Sequence, residues 1–145
     1  MAAVVWRLAG VLALGALAMA CASGEGKRET SALIDSVERY RRAGDAERPG
    51  AVDAMRAMAL SEAPVREARD TCAAAADATT RALGLMNEVR AKTSDLEGKR
   101  LAPDAPEAQA LPRKLDEAET LLASGRRGMT DCERRLADLR VRYGS

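Results

Sequence analysis

The 145-residue sequence predicts an all-α protein: a small helical bundle built on a long antiparallel helical hairpin with an alanine-rich heptad seam. Three observations carry that expectation. Apolar and small residues recur at alternating spacings of three and four from Val65 to Leu96 and again from Leu111 to Tyr143, which is the periodicity of a coiled-coil face. The chain between these stretches contains Gly98, Pro103 and Pro106, residues that stop or turn a helix. The two stretches also fall into register when folded back on each other. If Cys72 faces Cys132, paired positions have numbers that add to 204, and Val65 then meets Leu139, Ala68 meets Leu136, Ala75 meets Met129, Thr79 meets Gly125, Ala82 meets Leu122, Met86 meets Ala118 and Val89 meets Leu115. Small residues oppose large ones at most layers, as close packing of two helices requires.

The first 20 residues differ from the rest. Arg7 is their only charged side chain, whereas the remaining chain has equal numbers of basic and acidic residues. A short positive start through Arg7, an apolar run from Leu8 to Met19 and the small residues Ala18-Met19-Ala20 follow the order of a secretory signal peptide. The apolar run is shorter than a comfortable bilayer span.

Leu17-Ala18-Met19-Ala20-Cys21 resembles the lipobox of bacterial lipoproteins, in which a small residue precedes a cysteine that becomes the acylated amino terminus after cleavage. The resemblance implies lipidation at Cys21 and anchoring in the cell envelope. Ala22 after the cysteine, rather than Asp, implies the outer membrane, facing the periplasm. The same Ala-Met-Ala also suits an ordinary signal peptidase, which would release a soluble periplasmic or secreted protein.

The expected organisation is a signal peptide over 1–20, a flexible tether over 21–29 and a single helical domain over 30–145, with helices at about 31–43, 51–60, 63–97 and 105–143. Ser31 is the expected N-cap of the first helix, in which Leu33, Ile34, Val37 and Tyr40 share a face before Gly44. Pro49-Gly50 punctuates the chain ahead of the second helix, and Ser61 and Pro64 restart it for the third. Asp104-Ala105-Pro106-Glu107 has the form of a capping box for the last helix, and Pro112 is expected to bend that helix near its start. Gly125 and Gly128 are poor helix formers, but the unchanged heptad phase from Leu122 through Met129 to Leu136 predicts continuity. The two short helices are expected to cover Leu83, Leu85 and Leu121.

An exported protein meets an oxidising compartment, so Cys72 and Cys132, at one layer of the seam, are expected to form a disulfide. Its stabilisation would be roughly 4 kcal/mol for a loop of this length. The sequence contains no His, and neither cysteine lies in a Cys-x-x-Cys pattern, so no activated nucleophile can be named. Catalytic, metal and cofactor roles are therefore not expected. Trp6 is the only Trp, and Tyr40 and Tyr143 are the only aromatic residues after the leader. With charges balanced and interspersed, this argues against nucleic-acid binding. Arg126, Arg127, Arg134, Arg135, Arg140 and Arg142 form a basic run that could meet anionic head groups, wall polymers or an acidic partner.

The expected function is that of a non-catalytic structural or accessory lipoprotein, attached to the membrane through its N-terminal lipid and engaging another envelope protein. The alternative is a periplasmic helical module that admits a lipid or small apolar ligand between Met55, Met58, Leu60, Leu83, Leu85 and Met86. The sequence specifies no oligomeric state.

Overall fold

The computed structural model describes the backbone of residues 6–144 and the side chains of residues 24–144. Among the described residues five helices follow one another: α1 (Trp6–Arg42), α2 (Arg48–Arg56), α3 (Ala63–Glu97), α4 (Pro106–Gln109) and α5 (Leu111–Tyr143). No strand occurs among the described residues. Helices α3 and α5 form the long antiparallel hairpin, each about 50 Å long at 1.5 Å per residue.

The third helix occupies 63–97 as expected. Pro64 stands in its first turn, where the missing N–H costs nothing. Its far end is closed by backbone N–H groups of Gly98, Lys99, Arg100 and Leu101, which donate to the carbonyls of Ser94, Leu96, Asp95 and Asp95. Lys99, not Gly98, takes the left-handed conformation there, with φ of 55°.

Three expected boundaries change. The last helix divides: α4 is a single turn, Ala110 separates it from α5, and α5 then runs unbroken through Gly125 and Gly128. Pro112 is the physical reason, since it lacks an N–H and its ring would crowd the carbonyl of Ala108 in a continuous helix. Asp104 caps nothing, because the N-cap of α4 is Ala105 and no side chain bonds there. The second helix starts earlier, at Arg48, with Pro49 inside its first turn, and ends at Arg56.

The largest change is at the beginning. Residues 21–29 belong to α1, so the expected flexible tether is helical and Ser31 lies inside a helix instead of capping one. Local composition, Ser23-Gly24-Glu25-Gly26, disfavours helix. Tertiary contacts override it, as Gly26 and Thr30 are buried against the rest of the fold.

The core lies in one half of the hairpin. Leu33, Val37 and Tyr40 of α1 and Val52 and Met55 of α2 pack on Val65, Ala68, Cys72, Ala73 and Ala76 of α3 and on Cys132, Leu136 and Leu139 of α5. The small α3 residues leave room for neighbours on two sides. Tyr40 donates its hydroxyl to the Ala76 carbonyl at 3.0 Å, which sets the depth of α1 in the groove. Polar contacts give the direction of each helix. Glu29 meets Ser61, Tyr40 meets Ala76 and Asp45 meets Asn87, so α1 runs alongside α3. Tyr143 lies against Gly26 and Glu133 pairs with Arg41, so α1 runs opposite to α5. The result is an up-down-up-down bundle with a two-helix arm beyond the Asp45–Asn87 contact, closed at its tip by the single turn α4.

Candidate functional site

The expected 204 register is present. Cys72 and Cys132 are disulfide-bonded with a Cα–Cα distance of 4.8 Å, 60 positions apart in sequence, and both are fully buried. A Cβ added at Gly125 would stand 3.1 Å from the Thr79 amide nitrogen, and one at Gly128 would stand 2.9 Å from the Ala75 Cβ. These two glycines let α5 approach α3 beside the disulfide, a role their poor helix propensity conceals. The Val65–Leu139 and Ala68–Leu136 layers are buried. Toward the turn one layer loosens, with Val89 half-buried and Leu115 40% exposed, between the buried Ala118 and Leu111.

A cluster at the open end of the hairpin joins three chain segments. The carboxylate of Glu29 accepts from the Ser61 amide at 2.6 Å, the Ser61 hydroxyl at 2.7 Å and the Glu62 amide at 3.0 Å. It thus satisfies backbone donors just ahead of α3, where no side chain of α3 does so. Partial burial alone would push its pKa up. The bonds from Ser61 and Glu62, together with the nearby Arg66 charge, outweigh this and hold the carboxyl below its ordinary value. Arg66 also donates to the carbonyls of Leu60 and Ser61.

Tyr143 completes the cluster by donating its hydroxyl to Glu62 at 3.0 Å. Partial burial, then that bond and the Glu62 charge, push the phenol pKa up. Its ring lies against Gly26, where an added Cβ would come within 2.7 Å of Cζ. Only glycine fits between α1 and the ring. No pattern within 21–29 could disclose this, because the partners are 32 or more positions away.

The side chain of Cys21, the proposed acylation site, lies outside the described residues, as do those of the leader. Its backbone falls within α1. Among the described residues, no helix is long and apolar enough to cross a membrane, and no group of three or more Cys, Asp or Glu residues could hold a metal ion.

The six arginines are all exposed but do not form one patch. Arg134 pairs with Asp131, and Arg135 approaches Glu67 at 3.6 Å. Both line a shallow depression with Thr71 and Asp138. Arg142 stacks on Tyr143, 5.6 Å from the ring centroid. Arg126 and Arg127 sit about 20 Å further up α5 from Arg140 and Arg142 at helical rise.

The residues of the expected apolar ligand site are also distributed. Met55 is fully buried in the core, and Met58 and Leu60 line an open surface depression with Glu25, Arg28, Glu29 and Ala32. Leu83, Leu85 and Met86 are half-buried on α3 and lie outside the core cluster, as does Leu121, so α1 and α2 cover the lower half of the hairpin rather than these positions.

No protein-family model matches the chain, and comparisons with curated proteins and with solved structures return no match.

Proposed function

We propose that this chain is a lipid-anchored protein of the bacterial envelope, acting without catalysis as a stand that presents a helical hairpin to another envelope protein. The leader, the lipobox-like Leu17–Cys21 segment and Ala22 support acylation at Cys21 and residence in the outer membrane, facing the periplasm. The observation that carries the reading is the unequal covering of the hairpin. Next to the N-terminal segment it is wrapped by α1 and α2 and stapled by Cys72–Cys132, and away from that segment it is two helices with only the single turn α4 at their tip.

Leu115 and Leu122 repeat at seven-residue spacing the α5 face that Met129 and Leu136 turn toward the core. In the arm that same face has no third helix, and Leu115 is 40% exposed. A half-open apolar stripe on a rigid support suits a partner helix laid along it. The helical segment 21–29 adds rigidity. It joins the acylated residue to the docked Gly26 through about 8 Å of helix, so the arm holds its direction relative to the anchor.

Photocrosslinking in intact cells tests the proposal. A photoreactive residue at Leu115 is expected to give one discrete protein adduct, and the same residue at the exposed Ala74, beside the core, is expected to give none. Absence of an adduct at Leu115, or equal adducts at both positions, overturns it.

A further inference from the structure

The open end of the bundle carries a second surface, and we propose that it is a docking face for the phosphate head groups of an anionic bilayer. This rests on the reading that the chain meets the membrane near residue 21, and it concerns four cations that the fold gathers there. Lys27 and Arg28 lie in the first packed turns of α1, and Arg140 and Arg142 lie in the last turn of α5. The contact between Gly26 and Tyr143 brings these two turns side by side, although more than a hundred residues separate them.

All four side chains are exposed, and none forms an ion pair with another described residue. The neighbouring carboxylates are otherwise engaged. Glu29 accepts three hydrogen bonds from Ser61 and Glu62, Glu62 accepts the Tyr143 hydroxyl, and Glu67 faces Arg135. Arg66 is turned inward onto the carbonyls of Leu60 and Ser61. Glu25 and Asp138 are the exposed carboxylates among the described residues of this end that have no such partner, so four outward cations stand against two outward anions.

Geometry selects these cations from the longer arginine run. At helical rise the four lie within about 12 Å of Cys21 along the bundle axis, close to one Debye length, whereas Arg126 and Arg127 are well beyond that distance. Basic side chains close to a negatively charged leaflet each add to its attraction. The docked end would hold the bundle upright, with the turn at Ala102 about 50 Å from the bilayer.

The test uses the full chain, isolated from membranes and reconstituted into vesicles of phosphatidylcholine with or without 30% phosphatidylglycerol, with a fluorophore at V141C or A102C. Nitroxide-labelled lipid head groups are expected to quench the probe at 141 at least threefold more strongly in the anionic vesicles, with little quenching at 102. Half-molar salt, or the combined substitutions K27Q, R28Q, R140Q and R142Q, is expected to remove the difference. Equal quenching in neutral vesicles, or a difference that survives the four substitutions, overturns the proposal, and no quenching at 141 does the same and leaves an acidic protein as the ligand of these cations. Intact mass of the same sample reports the Cys21 adduct separately. An acylated protein without charge-dependent quenching defeats the docking face alone, and an unmodified Cys21 defeats the lipid anchor alone.

Discussion

Glu29 of α1 caps the start of α3 through Ser61, a residue 32 positions further along the chain. The contact turns a segment of helix-poor composition into the fastening that closes the bundle. Glu29→Gln is expected to cost about 1 kcal/mol, the usual worth of a capping acceptor. The sign of the pH dependence follows from the lowered carboxyl pKa. A group depressed in the folded state contributes stability that is present above its unfolded pKa and is lost as pH falls through the folded value. Urea denaturation of both proteins at pH 7 and pH 3 is expected to show a gap that narrows at the lower pH. A gap of the same size at both would contradict the cap.

Two glycines separate helix propensity from packing. Gly84 has nothing within 4 Å of an added Cβ, so Gly84→Ala is expected to stabilise α3 by about 1 kcal/mol. Gly125 has the same propensity cost, but its Cβ would press on the Thr79 backbone, and Thr79 is itself bonded to Ala75 at 3.0 Å. Gly125→Ala is expected to destabilise by about 1–3 kcal/mol despite the better helix former. Melting temperatures moving in opposite directions are the expected result.

Thr30 is fully buried, and its hydroxyl has no hydrogen-bond partner among the described residues. Replacing it by the near-isosteric Val removes an unpaired polar group without opening a cavity. Thr30→Val is expected to be neutral or to stabilise by about 1 kcal/mol, as read by denaturant midpoint.

The disulfide spans 60 positions inside an alanine-rich core. Ala buries little apolar area, so the crosslink carries an unusual share of the stability. Cys72→Ala with Cys132→Ala is expected to lower unfolding free energy by about 4 kcal/mol. Reduction of the unaltered protein under mild denaturant is expected to give a loss of similar size.

The hairpin was legible because its information is periodic. The 63–97 helix, the 204 register and the Cys72–Cys132 pair all follow from a seven-residue repeat and a turn. The division at Ala110 was half legible, since Pro112 announces a disturbance without saying whether the helix bends or stops. The closure at the open end was illegible for a physical reason. Gly26 looks like a flexible spacer until Tyr143 is known to lie against it, and nothing near Glu29 in sequence indicates that its acceptor role lies at Ser61. The basic run at the C-terminal end of the chain likewise reads as one patch, and only the helix geometry divides it into a pair beside Gly26 and others further along the wrapped half of α5.

The doubled-back hairpin underlies every other conclusion, and peptide mapping without reduction, on the chain expressed with export to the periplasm, tests it most directly. The expected result is one crosslinked peptide pair joining Cys72 to Cys132, with Cys21 absent from every disulfide. Free thiols at both positions, or either cysteine bonded to Cys21, would contradict the account.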